Sequence, residues 1–225
     1  MIIGYIWSML VDFKIPSPPF TSIFTDEFVG RESLSKLEEL FVERAVEQRV
    51  KHFSTGRLCA KKALESLNIT DVEILMNEDK APVWPEGVVG SISHSKSMAG
   101  AVVAFANKVS SIGLDIETIG GVNPDMWDML FLASEQAFLQ QFTGDKLTFY
   151  TTLLFSGKEA FYKFQHPLTK TFLDFTDVAM NLIEGQFEIA VLKDFPGKEL
   201  LPVSTPIYFT QQGNQLITLC YHERV

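Results

Sequence analysis

Ser111-Ile112-Gly113-Leu114-Asp115-Ile116-Glu117 alternates apolar and polar residues with a period of two. That is the pattern of a strand with one buried face, so Asp115 and Glu117 project together from the other face. A second stretch, Phe155-Ser156-Gly157-Lys158-Glu159-Ala160-Phe161-Tyr162-Lys163, has helical spacing. Its four-residue steps stack Phe155, Glu159 and Lys163 along one side, with Tyr162 beside them. Neighbouring carboxylates repel, which calls for a hard cation with oxygen ligands. Magnesium held by Asp115, Glu117 and Glu159 fits that chemistry and leaves positions open for phosphate oxygens. The plain alternative is a solvated strand face beside an ordinary surface helix pair.

The two stretches, in this order, resemble the signature of the 4'-phosphopantetheinyl transferase superfamily, and most closely its two-lobed monomeric class serving peptide, siderophore and polyketide synthases. The resemblance implies an α+β fold of two similar lobes related by a pseudo-twofold axis, with coenzyme A in the cleft between them. The turn Asn107 to Ser110 marks the lobe boundary, giving lobes 1–110 and 111–225.

Further segments carry the same resemblance. Phe53-Ser54-Thr55-Gly56-Arg57-Leu58-Cys59-Ala60 is similar to a helix motif whose arginine, here Arg57, is implied to bind the 3'-phosphate of coenzyme A. A guanidinium suits that anion through its planar fork of donors. Arg49 and Lys51 are weaker candidates for the same phosphate. Lys80-Ala81-Pro82-Val83-Trp84-Pro85 resembles the segment placed beside the adenine, which makes Lys80 and Pro82 ligand contacts. Ser93-His94 matches a Ser-His motif implied to touch a coenzyme A phosphate through hydroxyl and imidazole donors.

Composition bounds the rest. A chain of 225 residues with 46% hydrophobic content supports a real core, in one large domain or two small ones. A net charge of −9 argues against nucleic-acid binding and requires local basic residues to capture any anion. Cys59 and Cys220 have no metal-ligand spacing and sit in apolar runs, which suits free thiols in a reducing cytoplasm. Residues 1–11 are apolar without a basic start, too short to span a bilayer, and read as a first strand.

In chain order, the pattern predicts a strand-like segment over 22–28 and a long helical region over 33–67 broken near Ser54 to Gly56. Strands follow over 72–76, 87–93 and 99–106, the last two as a hairpin. Asn123-Pro124 reads as a helix start. The second-stretch helix is expected over 148–164, ending before Pro167, with Gly157 costing about 1 kcal/mol inside it. Strands over 172–182, 187–192, 206–209 and 216–221 complete a second sheet. Among Met126, Trp127, Phe131 and Phe138, any left exposed offers an apolar surface to a carrier helix.

The implied reaction moves the phosphopantetheine arm of coenzyme A to a serine of an apo carrier protein of a peptide, siderophore, polyketide or fatty acid synthase, releasing adenosine 3',5'-bisphosphate. Lys163 and Lys158 would stabilise the phosphate oxygens or protonate the leaving group, and Glu159 or a metal-bound water would deprotonate the serine. A magnesium-dependent pyrophosphate hydrolase and a catalytically silent binding module stand as alternatives. No nucleic acid and no membrane span are expected, and a complete cleft within one chain implies a monomer.

Overall fold

The computed structural model describes residues 11–224. The strand expected over residues 1–11 therefore lies, apart from Val11, outside the described residues. The first lobe runs β1 (Thr21–Thr25), α1 (Lys36–Glu39), α2 (Glu47–Glu65), β2 (Val88–His94) and β3 (Ala99–Phe105). Its sheet is antiparallel with order β1-β3-β2. The second runs β4 (Val109–Thr118), α3 (Trp127–Leu130), α4 (Ala133–Leu139), α5 (Gly144–Thr169), β5 (Val178–Ile183), β6 (Gln186–Val191), β7 (Thr205–Gln212) and β8 (Gln215–Glu223). Its antiparallel order is β4-β8-β7-β6-β5. The fold is α+β as expected, with one long helix laid on each sheet.

A core of Cys59, Ala60, Ala63 and Leu64 with Ala101 and Val103 seats α2 on the first sheet. Leu153, Leu154, Phe161 and Phe164 of α5 meet Ile189, Ile207 and Leu216 of the second. A third core joins the lobes: Phe24, Met98 and Val102 from the first pack against Ile112, Leu114, Ile116 and Leu219 from the second.

Where the sheets meet, edge strand β2 lies along edge strand β4 without a backbone ladder. Ser91 Oγ accepts from Leu114 N at 3.0 Å, and Ser93 Oγ accepts from Ile116 N at 3.2 Å. Serine hydroxyls thus satisfy edge donors of β4 that would otherwise be buried without partners.

Several local expectations are corrected. The break near Ser54 to Gly56 is absent, and α2 runs through it. A Cβ at Gly56 would lie 2.7 Å from Ile92 Cγ2, so close packing on β2 decides the helix over the weak propensity of these residues. The interruption falls earlier, at the 3-10 turn Leu40–Val42 and the extended Val46. The strand expected over 72–76 is only a bridge from Met76 to Pro82. Side chains take over the backbone bonds there: Ile74 N donates to Glu38 Oε1 at 2.9 Å, and Ile74 O accepts from Arg57 Nε at 2.6 Å.

In the second lobe, α5 continues through Pro167 despite the backbone donor that proline lacks, and Lys170, at φ 53°, closes the final turn on His166 O. β1 stops at Thr25, and β5 begins at Val178, after a 3-10 turn over Phe175–Asp177. Gly113 is demanded by contact: a Cβ there would sit 1.9 Å from Ala160 O. Only glycine lets β4 lie this close to α5.

Candidate active site

The close approach at Gly113 brings the polar residues of β4 and α5 together. Asp115 is buried, at 3% exposure, rather than projecting into solvent. Its Oδ1 receives Lys163 Nζ at 2.7 Å and Ser93 Oγ at 3.0 Å, while Oδ2 receives Ser156 Oγ at 2.8 Å. Lys163 Nζ also reaches Ser93 Oγ at 3.0 Å. Behind Ser156, Thr218 Oγ1 lies 2.8 Å from its hydroxyl and donates to its carbonyl at 2.9 Å. Side chains of β2 and α5 thus meet on the β4 carboxylate, with Thr218 of β8 behind Ser156.

Glu117 and Glu159 are half-buried beside it. Burial, Asp115 and Glu159 push Glu117 up to about 7 against the opposing pull of Lys163. Burial likewise raises Glu159, with Lys163 opposing and Asp115 adding to the rise. Three carboxylates act on one another here with Lys163 as the facing cation. An oxygen-rich site short of positive charge suits a hard divalent ion in donor chemistry. It is not a preformed cage: among the described residues, no three His, Cys, Asp or Glu side chains stand together as a ready ligand set. Asp115 instead directs its oxygens to Lys163, Ser93 and Ser156.

Glu159 lies between two cavities. One, of about 580 Å³, runs between the lobes and is lined by Lys80, Pro82, Trp84 and Ser91 of the first and Glu159 and Lys163 of the second. Trp84 packs against the strand at Gly90, where a Cβ would come within 2.7 Å of its ring. Lys80, exposed at φ 61°, closes the turn that begins at Asn77. The other cavity, of about 560 Å³, belongs to the second lobe and is mainly apolar, with Met129, Phe161, Phe172 and Phe175 around Glu159 and Tyr162.

The remaining expected residues divide. His94 stacks on His52, ring centres 4.2 Å apart, and burial with nearby His52 and Arg49 lowers it to about 4. Arg49 is exposed, and its charge also acts on His52 and Arg57. These three form a donor-rich group at the end of β2.

Arg57 sits deeper than Arg49, and Lys158 departs from its expected place. Arg57 is buried, lies 4.4 Å over the Phe53 ring and spends Nε on Ile74 O; burial lowers it to about 10. Lys158 does not face the Asp115 cluster. Its ammonium is turned into the second lobe and paired with Glu135 at 2.6 Å, because adjacent helix residues point about 100° apart.

Sequence reading missed Ser156, Thr218, Ser91, His52 and Glu135. The alternation of Ser91 and Ser93 on β2, continued by Ser95 just past its end, is the one visible signal for the seam. Phe131 is buried, whereas Met126 and Met129 are exposed, Met129 on the wall of the apolar cavity. Both cysteines are free and buried. Among the described residues no helix is long and apolar enough to cross a membrane.

Comparison with known proteins adds a family. The model of the 4'-phosphopantetheinyl transferase N-terminal domain matches residues 37–104, and that of the 4'-phosphopantetheinyl transferase superfamily matches residues 111–218. The chain is 36% identical over 162 residues to 4'-phosphopantetheinyl transferase Svp of Streptomyces mobaraensis, covering 71% of this chain and 66% of that protein. It thus spans just under two thirds of that relative's length. Enterobactin synthase component D of Escherichia coli K12 is 32% identical over 185 residues, covering 81% of this chain and 82% of that protein. A solved holo-(acyl-carrier-protein) synthase of Thermotoga maritima superposes with a TM-score of 0.40 at 18% identity, over 50% of this chain and 63% of that one. That overlap is too loose to carry residue roles.

Proposed function

We propose, for a chain that belongs to the 4'-phosphopantetheinyl transferase superfamily, the transfer of the 4'-phosphopantetheine group of coenzyme A to a serine hydroxyl of an apo carrier protein. The serine oxygen forms a bond to the phosphorus that carries the pantetheine arm. The bond from that phosphorus to the bridging oxygen breaks, and adenosine 3',5'-bisphosphate leaves. The observation that carries this reading is Lys163, held on Asp115 between Glu117 and Glu159 and facing the cavity between the lobes.

Lys163 places a fixed positive charge beside the oxygens that gain charge as the pyrophosphate opens, which is where phosphoryl transfer gains most of its acceleration. Glu159, raised by burial, takes the serine proton. Asp115, Glu117 and Glu159 would hold a magnesium ion, which when bound supplies positive charge to the pyrophosphate and relieves the carboxylates' mutual repulsion. Lys80 and Pro82 line the cavity where the adenine end goes, and Arg49, Ser93 and His94 supply donors for the phosphates. Arg57 shapes that end through Ile74.

On this reading the chain works as a monomer of two lobes, 1–110 and 111–225, in the cytoplasm. Its partners are carrier domains of peptide, siderophore, polyketide or fatty acid synthases.

Chromatography of the nucleotide products tests the reaction class. Release of adenosine 3',5'-bisphosphate from coenzyme A should require the chain, magnesium and an apo carrier together. Release without a carrier would instead make the chain a hydrolase.

A further inference from the structure

Lys158 precedes Glu159 by one residue, yet its side chain is only 1% exposed and serves the other side of the helix. Its ammonium donates to Leu130 O at 3.0 Å, Glu135 Oε2 at 2.6 Å and Phe175 O at 2.8 Å, which uses all three protons. Glu135, 2% exposed, is equally committed: Oε2 also accepts from Leu132 N and Oε1 from Met180 N, both at 2.8 Å. One buried pair therefore ties α5 to the end of α3, the start of α4, the 3-10 turn before β5, and β5 itself.

Those segments are the walls of the apolar cavity that Glu159 lines. Met129, Phe175 and Val178 on its wall each stand within two residues of an atom bonded to the pair. Gly157 presses the same turn of α5 onto β5, since a Cβ there would come within 2.7 Å of Met180 Sδ. Apolar residues of the same volume often serve stability as well as a buried ion pair. What this pair adds is direction: five short bonds fix the rotation of α5 about its axis at the residue next to Glu159.

We propose that Lys158 and Glu135 are positioning residues, a clamp that sets the cavity wall and the orientation of Glu159 for taking the serine proton. The inference rests on the proposed transfer reaction, with Glu159 as its base.

The test compares the unaltered chain with the double variant Lys158→Met/Glu135→Gln, which removes both buried charges and keeps a carboxamide acceptor for one of the two backbone donors. The double variant should unfold cooperatively on heating. Its kcat should fall by about a hundred-fold, the effect of displacing a reacting group by about 1 Å. KM for coenzyme A should stay within about two-fold, because Arg49, Ser93 and His94, the donors proposed for its phosphates, lie on the other lobe. Hydrogen exchange gives a readout independent of turnover: amides of 130–135, 158–163 and 175–180 should exchange faster, and those of α2 should not change. An unchanged kcat in the folded variant, or unchanged exchange, would overturn the proposal. Faster exchange in an otherwise inactive parent would leave the clamp standing and refute the transfer reading. Should the double variant not fold, Glu135→Gln alone carries the same comparison.

Discussion

Lys163 Nζ rests 2.7 Å from Asp115 Oδ1, joining the C-terminal third of α5 to edge strand β4 at the seam between the lobes. The lysine side chain keeps 29% exposure while the aspartate keeps 4%. The carboxylate is thus a fixed buried anchor, and the ammonium is the end that reaches the cavity. Replacing Asp115 with Asn should leave Lys163 without its anchor and lower the transfer rate by about a hundred-fold or more. Steady-state kinetics at saturating coenzyme A check this, and a rate near the parent's would remove Asp115 from the machinery.

Ser156 supports the same carboxylate from the opposite oxygen. Ser156→Ala removes one bond to Asp115 and leaves Thr218 Oγ1 without one of its neighbours. A stability loss of about 1–2 kcal/mol in urea titration is expected. Transfer should fall by about ten-fold, less than for Asp115→Asn, because the lysine contact persists.

Two glycines separate backbone contact from side-chain contact. At Gly113 a Cβ meets the Ala160 carbonyl, which belongs to a helix and cannot yield. Gly113→Ala should cost about 3 kcal/mol and disturb the site. At Gly157 the obstacle is the flexible end of Met180, and alanine also recovers about 1 kcal/mol of helix propensity. Thermal unfolding should therefore show Gly157→Ala close to the parent.

Glu38 links stability to pH. Burial alone would raise it, but the Lys61 ammonium at 2.6 Å and the N–H groups of Ile74 and Ser35 more than offset that and hold it below 4.5. A carboxylate whose folded pKa is depressed contributes stability above its unfolded pKa, and that contribution is lost as pH falls through the folded value. Glu38→Gln should be less stable than the parent at pH 7. The gap should narrow as pH drops below about 4.5. Urea midpoints across that range check the sign.

Much of this was readable from residues. The alternation of 112–117 placed Asp115 and Glu117 on one strand, and the i, i+4 spacing placed Glu159 and Lys163 on one helix face. The burial of Asp115 was not readable, because it depends on β2 lying along β4 through serine hydroxyls, and the serine alternation on β2 does not say which strand those hydroxyls meet. Lys158 had a signal that sequence reading passed over. It falls in register with Leu154, Phe161 and Gln165, all buried, so its place on the inner face follows from the helical repeat. Val72, Ile74 and Met76 alternate like a strand, yet Glu38 and Arg57 supply the partners that a neighbouring strand would have given. Side-chain substitution for a ladder leaves no trace in periodicity.

The most direct test is the intact mass of an apo carrier protein after incubation with coenzyme A, magnesium and this chain, beside the Glu159→Gln variant. A carrier gaining the mass of one phosphopantetheine group with the parent chain, and not with the variant, is the predicted result. No gain with the parent across several peptidyl and acyl carriers would contradict the account.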